Sequence, residues 1–357
     1  MNLEKILKVA VRGGASDIIL KPGVMPRFRF QGEILNLADG EVITPQMMMA
    51  WIGTLVPPHM KHRLQQLEDL DFAYASPLGN RFRVNLFRQK QSYAMILRVI
   101  NNHIRTMEEL QLPQVMHTFA EERRGLVLVT GATGSGKSTT LASIIEKINA
   151  SRASHILTIE DPIEFVFTEK RSTINQREIG VDAESFAAAL RSALRQNPDV
   201  ILVGELRDKE TTETALMAAE TGHLVLSTLH TMDATESITR LLSYFPPHQH
   251  PSLKIMLSQT LKAIVSQRLV PRKDNKGMVP AIEILIANEL VRENIQKGED
   301  FSLLKDAIRN SRNTYGMQSF DHSLLTLYKS GIITQAEALE HASNRKDLEL
   351  AMQGFES

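Results

Sequence analysis

A glycine-rich segment beginning at Gly131 has the residue types and spacing that hold the phosphates of a nucleotide. Gly131, Gly134 and Gly136 allow the backbone to turn tightly and to direct N–H groups inward. Lys137 then reaches the β- and γ-phosphates, and the Ser138 hydroxyl ligates the Mg²⁺ ion that bridges them. The residues predicted to bind a nucleoside triphosphate are Gly131, Thr133, Gly134, Ser135, Gly136, Lys137, Ser138 and Thr139.

Apolar runs that alternate with helical segments predict the elements that position this loop. This alternation is expected for a largely parallel sheet that is covered on both faces. The predicted strands are 126–129, 155–159, 200–203 and 224–228. A helix over 184–196 is predicted to begin with Asp182 as its cap and to end before Pro198.

Ionisable side chains follow three of these strands, at the edge where ligands bind in open α/β sheets. Glu205 comes after strand 200–203 and Gly204, where a carboxylate can bind Mg²⁺ through water or orient an attacking water. The alternative is a surface carboxylate. His230 follows strand 224–228, and contact with a γ-phosphate and a hydrogen bond at the core edge both remain open.

An acidic corner follows strand 155–159 and contains Glu160, Asp161 and Glu164. Direct contact with metal or water and a simple solvated turn are both compatible with this pattern.

Farther upstream, residues 81–86 alternate cleanly, with Phe82, Val84 and Leu86 on one face. The other face presents Arg81 and Arg83, either as a solvated surface or as functional cations.

Composition limits the classes of function. The chain has 357 residues, 43% of them apolar, and Lys+Arg equals Asp+Glu at 41 each, so no global charge favours nucleic acid or an anionic membrane. Cysteine is absent, which excludes disulfides and Cys-ligated metals. No apolar stretch approaches the ~18 residues that span a bilayer, and the start lacks a signal-peptide pattern, so a cytoplasmic protein is expected.

Changes in pattern along the chain predict its domains. Residues 1–100 form an N-terminal α+β domain, residues 101–117 a polar linker, residues 118–287 the phosphate-loop core, and residues 288–357 a helical region. Leu303, Leu304, Ala307 and Ile308 are predicted to form one apolar face of that last region.

Four ordered motifs resemble the secretion ATPases of type II and type IV pilus systems, and most closely the PilT and PilU groups of twitching-motility ATPases. The motifs are residues 131–139 as Walker A, 159–165 as the aspartate box, 195–205 as the Walker B region, and 221–230 as the histidine box. The similarity also includes residues 14–17 and the strand at 81–84. It therefore extends over nearly the whole chain.

The resemblance implies a PAS-like N-terminal domain, a RecA-like P-loop ATPase core and C-terminal helices. It implies a cytoplasmic homo-hexamer, peripheral to the inner membrane, that hydrolyses ATP with Mg²⁺ and acts on an inner-membrane platform protein to retract a pilus. Glu205 is then the general base, Glu164 supports the metal and water network, and His230 senses the γ-phosphate. Arg81, Arg83 or Arg88 would complete the site of a neighbouring subunit.

The resemblance also indicates a subgroup. The absence of cysteine argues against pilus-extension members, which carry a four-cysteine zinc element. The segment 317–321 and the ending from 337 to 348 resemble the PilU group, whose members assist retraction beside a second retraction ATPase. Two other functions remain as alternatives, namely a RecA-type motor on nucleic acid, and a regulatory module that binds nucleotide without hydrolysing it.

Overall fold

The computed structural model describes residues 2–30, 32–37, 40–66, 69–77, 79–100, 103–298 and 301–355. The chain forms two compact units. The first comprises the residues up to His103 together with Glu164–Val166, and the second comprises Ile104–Ile163 and the chain from Phe167 onward. The predicted α/β fold with an N-terminal α+β domain is confirmed.

The predicted linker at 101–117 falls largely in the second unit. Positions 101 and 102 lie outside the described residues, whereas the chain from Ile104 belongs to the second unit. Met107, Leu112 and Met116 are buried in that unit, where removal of their apolar surface from water favours folding. The division of the second unit at 287/288 stays a prediction.

The first unit is an antiparallel sheet with helices packed on it. Its strands pair in the order β3-β2-β1-β6-β5-β4. Its elements are α1 (Leu3–Gly13), β1 (Asp17–Leu20), β2 (Arg27–Phe30), β3 (Glu33–Asn36), α2 (Pro45–Leu55), a 3₁₀ helix (Pro58–Gln66), β4 (Leu70–Ala75), β5 (Arg81–Gln89) and β6 (Ser92–Ile100).

Strand β5 has the alternation that the sequence predicts. Phe82, Val84 and Leu86 are buried in the core of the first unit, and Arg83 on the opposite face is exposed. Because successive side chains of a strand point to opposite faces, one face packs against the helices and the other carries the cations.

The second unit is built on a mixed sheet in the order β13-β12-β7-β11-β10-β8-β9. All neighbours from β12 to β9 are parallel, and β13 is antiparallel to β12. Up to β12 its elements are a 3₁₀ helix (Gln114–Ala120), β7 (Gly125–Thr130), α3 (Lys137–Ser151), β8 (His155–Glu160), β9 (Thr173–Glu178), α4 (Phe186–Ala193), β10 (Val200–Val203), α5 (Lys209–Glu220), β11 (Leu224–Leu229), α6 (Ala234–Ser243), a 3₁₀ helix (Pro247–Gln249), α7 (His250–Thr260) and β12 (Leu261–Pro271).

The remaining elements complete the sheet and form the C-terminal helices. They are β13 (Met278–Ile286), α8 (Glu289–Lys297), α9 (Leu303–Asn310), α10 (Arg312–Tyr315), α11 (Phe320–Lys329), α12 (Gln335–Glu340) and α13 (Arg345–Met352). The four predicted strands are confirmed as β7, β8, β10 and β11. In α9, Leu304, Ala307 and Ile308 are buried as predicted, but Leu303 is 57% exposed, because it begins the helix on the side away from the core.

The predicted start of helix α4 is wrong. Ser185 caps the helix, since its extended backbone lets its hydroxyl accept the N–H of Ala188 at 3.2 Å. The Asp182 carboxylate instead accepts the backbone N–H of Glu178 at 2.9 Å and closes the preceding turn.

Along the described residues, no helix combines the length and apolar character that crossing a lipid bilayer requires.

The alternation of β5 predicts a large difference between neighbouring substitutions. Phe82→Ala should lower the free energy of unfolding by about 3–5 kcal/mol, because it leaves a cavity in a packed core. Arg83→Ala, one residue away on the exposed face, should change it by about 0.5 kcal/mol or less. Chemical denaturation of both variants measures this difference, and losses of equal size would contradict the assigned faces.

Candidate active site

The loop between β7 and α3 has a backbone that requires glycine. Gly131 has a φ of 143°, and a Cβ there would lie 2.5 Å from the carbonyl oxygen of Gln267 and 2.6 Å from Ser135 Oγ. Gly134 and Gly136 also have positive φ values, of 80° and 89°. The glycines therefore allow the chain to curl over the N-terminus of α3 while lying against β12.

The interior of this loop suits an anion. Lys137 is buried, and its Nζ donates hydrogen bonds to the carbonyl oxygens of Gly131 at 2.9 Å and Ala132 at 3.0 Å. Ser135 is also buried, and its Oγ has no hydrogen-bond partner among the residues that the structure describes. A buried hydroxyl without a partner is costly, so a phosphate oxygen that accepts from it would be favoured. The loop, the helix N-terminus and the ammonium group together fit a triphosphate.

Strand β12 fixes the loop from behind. The Gln267 side chain donates to Thr140 Oγ1 in α3 at 3.0 Å, and the Thr130 hydroxyl donates to Ser266 Oγ at 2.9 Å. These bonds tie both ends of the loop to one strand. Strand β12 is not among the strands predicted from the sequence. The available signal is the apolar run at 263–265, which is followed by the polar residues Ser266, Gln267 and Arg268.

Glu205 lies at the carboxyl edge of the same sheet. The N–H of Gly204 donates to the carbonyl oxygen of Ile159 at 2.8 Å, and the Thr228 hydroxyl donates to the carbonyl oxygen of Gly204 at 2.7 Å. The residue before Glu205 is thus held between β8 and β11. Glu205 itself is only 8% exposed, so its carboxylate is not an ordinary surface group.

The structure brings Glu205 and His230 together. His230 Nε2 lies 2.9 Å from Glu205 Oε2, within hydrogen-bond distance. Burial, then the charges of Lys137 and Arg207, lower the pKa of His230 below its ordinary value. The imidazole is therefore neutral at pH 7 and donates to the carboxylate from Nε2. Leu229 pairs with Thr130, so His230 directly follows a residue that lies beside the start of the phosphate loop.

Arg207 is a part of this site that the sequence analysis missed. It forms an ion pair with Glu205, and its Nη1 lies 3.8 Å from Asp161 Oδ2. The guanidinium therefore bridges the carboxylates that follow β10 and β8. A cation placed two residues after Glu205, opposite an acidic corner, is the signal that could have identified it.

The three residues of the acidic corner have different surroundings. Glu160 is buried, and its Oε1 accepts the Thr158 hydroxyl at 2.6 Å and the Gln176 amide at 3.2 Å. Asp161 faces Arg207. Glu164 is exposed and belongs to the first unit. A single solvated turn therefore does not describe this segment, and the metal-supporting role of Glu164 stays a prediction.

Arg81 and Arg83 also belong to the first unit, where Arg83 is exposed and Arg81 is half-buried. Their predicted role in catalysis stays a prediction. His223 directly precedes β11, at the end of the sheet opposite the loop, and its Nδ1 lies 2.9 Å from the carbonyl oxygen of Ala218. It is therefore outside the site.

Binding of Mg²⁺ would depend mainly on oxygen ligands from the nucleotide. Among the residues that the structure describes, no group of three His, Asp or Glu side chains is arranged to hold a metal ion. Mg²⁺ in such sites commonly takes one or two protein oxygens and completes its shell with phosphates and water. The Ser138 hydroxyl, in the first turn of α3, and Glu205 through water are the residues that would hold it. The ion would neutralise phosphate charge.

Comparisons with known proteins agree with this architecture. Residues 2–322 match the family model described as Type II/IV secretion system protein. The chain is 39% identical to the type IV pilus ATPase PilU of Pseudomonas aeruginosa, over 100% of this chain and 93% of the relative. It is 40% identical to the type IV pilus retraction ATPase PilT of the same organism, over 96% of this chain and 98% of the relative.

A solved structure of the pilus retraction motor PilT with bound ADP superposes closely. Its TM-score is 0.89 at 42% identity, and the match covers 98% of this chain and 99% of that chain. This similarity supports nucleotide binding by the loop that begins at Gly131.

The close approach at Gly131 predicts a contrast between two glycines of one loop. Gly131→Ala should destabilise the protein and abolish binding of a nucleotide analogue, because its Cβ overlaps the carbonyl oxygen of Gln267. Gly134→Ala has space around its Cβ, so without nucleotide it should cost only backbone strain, about 1 kcal/mol. Thermal unfolding without nucleotide separates the two variants, and equal stabilities would contradict the predicted overlap.

The cations near His230 predict how its pKa responds to substitution. Its pKa should lie below 6.5, and Arg207→Gln should raise it, because removing a nearby cation favours the imidazolium. Histidine NMR signals followed against pH test this, with His230→Gln used to assign the resonance. A pKa that falls or stays constant in Arg207→Gln would show that Arg207 does not act on His230.

Proposed function

The chain belongs to the type II/IV secretion system protein family and hydrolyses ATP, and from this premise we propose that it is a ring-forming motor for type IV pilus retraction. The relatives that support this proposal carry the names PilU and PilT, and both align over almost their full length. The observation that carries the proposal is the Glu205–His230 pair, which lies at the sheet edge beside a phosphate loop.

The proposed reaction is attack of water on the γ-phosphate of ATP. Backbone N–H groups of the loop, the N-terminus of α3 and Lys137 bind and orient the phosphates. Glu205 orients the attacking water and accepts its proton. Arg207 forms an ion pair with the same carboxylate, so Glu205 would exchange part of this ion pair for the water.

His230 has the electrostatic surroundings of a phosphate sensor. Two cations, Lys137 and Arg207, contribute to its lowered pKa. An arriving γ-phosphate would offset their charge and raise that pKa, which favours the imidazolium, in which both ring nitrogens are hydrogen-bond donors. Loss of the γ-phosphate would reverse the change. The imidazole would thus couple the state of the nucleotide to the carboxylate that activates water.

We further propose that the active form is a homo-hexamer in which a neighbour completes each site. The support is the exposed cationic face of β5 and the resemblance of the chain to ring-forming ATPases. Arg83, or Arg81 beside it, would stabilise the transition-state charge, and Glu164 would support the metal and water network. An arginine supplied in this way is worth ~10³–10⁵ in rate.

The partners follow from the same proposal. The ring would act on an inner-membrane platform protein and move pilin subunits out of the pilus. The features shared with the PilU group favour a ring that works beside a second retraction ATPase. The PilU and PilT relatives have nearly the same identity to this chain. Sequence identity therefore does not decide between the two roles, and a functional measurement must do so.

Glu205 and Lys137 should have separable roles. Glu205→Gln should bind Mg·ATP and assemble normally but lose turnover by about 10² or more, because the amide cannot accept the proton of water. Lys137→Ala should weaken nucleotide binding itself. Binding of a fluorescent ATP analogue and phosphate release measure these effects, and full turnover in Glu205→Gln would refute its assigned role.

Completion of the site by a neighbour predicts recovery in mixed rings. Arg83→Ala subunits keep an intact core, and Lys137→Ala subunits keep the arginine. Each variant alone should be inactive, whereas a mixture should regain ATPase activity where an intact core meets an intact arginine. A mixture that stays inactive, although light scattering shows mixed assemblies, would contradict action of Arg83 in a neighbouring site.

A further inference from the structure

Glu283 is an ionisable residue of the second unit that lies outside the catalytic pair. It lies in β13, is 8% exposed, and its Oε1 accepts the backbone N–H of Ala234 at 3.0 Å. Ala234 is the first residue of α6, and its N–H is one of the groups that a helix leaves without an internal partner. The carboxylate therefore binds the N-terminus of α6 from the neighbouring sheet.

Helix α6 begins only four residues after His230. Between them, the Thr231 hydroxyl lies 2.6 Å from Ser237 Oγ, and the N–H of Met232 donates to Glu236 Oε2 at 2.7 Å. Asp233 caps the helix by accepting the N–H of Glu236 at 2.7 Å. The connecting segment is thus hydrogen-bonded to α6 along its length and must follow any displacement of the helix.

The sheet side of Glu283 is also continuous with the active site. Ser266 pairs laterally with Glu283 in β13 and with Thr130 in β7. The hydroxyls of Thr130 and Ser266 are hydrogen-bonded, and Thr130 directly precedes the phosphate loop. The anchor of α6 therefore lies in the same row of the sheet as the base of that loop.

The charge of Glu283 is only partly compensated. The pKa of Glu283 is raised to about 7, mainly by burial, and the nearby Asp233 contributes to this rise. The N–H of Ala234 and the charges of Arg268 and Lys305 lower it. An apolar side chain would avoid the cost of burying this carboxylate but could not accept the helix N–H. A polar group here is thus explained by the contact with α6.

We propose that Glu283 is a positioning residue for His230: by holding the first N–H of α6, it fixes the segment from Thr231 to Asp233 and keeps the imidazole beside Glu205. The inference rests on the proposed role of His230 in ATP hydrolysis. Neither Glu283 nor Ala234 touches the nucleotide in this proposal, so both should affect turnover more than nucleotide binding.

Two substitutions break the contact from opposite sides. Glu283→Leu removes the acceptor, and Ala234→Pro removes the donor. Proline is well tolerated at the first position of a helix, and the preceding Asp233 already has the extended backbone that proline requires, with φ −149° and ψ 172°. Ala234→Gly, which keeps the N–H, and Glu283→Gln, which keeps an acceptor oxygen, are the matched controls.

The measurements are kcat and KM for ATP in the full-length chain. Glu283→Leu and Ala234→Pro should each lower kcat by about tenfold or more and change KM by less than about twofold, since a displaced catalytic group affects the reacting geometry. The two controls should retain most of the activity. If Glu283→Leu does not fold, Ala234→Pro against Ala234→Gly decides, and an unchanged kcat in Ala234→Pro would overturn the inference.

A double-mutant cycle with His230→Ala identifies the route. If Glu283 acts through His230, Glu283→Leu should cause no further loss of kcat in the His230→Ala background. Losses that multiply would overturn the inference and leave the proposed function intact. Unchanged turnover in His230→Ala alone would refute the role of His230 and, with it, this inference.

Discussion

The active site depends on the lateral register of the parallel strands β8, β10, β11 and β7. Hydrogen bonding aligns Val203 with Ile159 on one side and with Ser227 on the other, and it aligns Leu229 with Thr130. Because these strands run in one direction, the residues that follow them emerge at a single edge of the sheet. The phosphate loop, Glu205 and His230 meet there, although long stretches of chain separate them.

This register also concentrates charge where the chain leaves the apolar core. Lys137 and Arg207 are the cations of the edge, and Glu205 and Asp161 are its carboxylates. In a partly buried setting these charges act on one another more strongly than they would in water. A bound triphosphate would redistribute them, since it attracts both cations and competes with the carboxylates. We regard this exchange as the physical basis of the coupling between nucleotide state and catalysis.

Much of this arrangement could be predicted from the sequence, because it follows from local pattern. The apolar strands and the glycine spacing predict the loop, and the positions of Glu205 and His230 after two strands place them at one edge. Contacts that join distant parts of the chain carry no such local signal. Ser185 replaces Asp182 as a cap for a local reason, namely its extended backbone, whereas Gln267 reaches Thr140 from 127 positions away. The anchoring of α6 by Glu283 is of the same long-range kind.

The central claim is that this chain is an ATP-hydrolysing ring whose sites are completed on assembly. The most direct measurement is the ATPase rate per subunit as a function of protein concentration, with molar mass determined by light scattering on the same samples. The account predicts a rate that rises in parallel with the hexamer and does not respond to added polynucleotide. A rate per subunit that is equal in monomer and hexamer, or that requires polynucleotide, would contradict it.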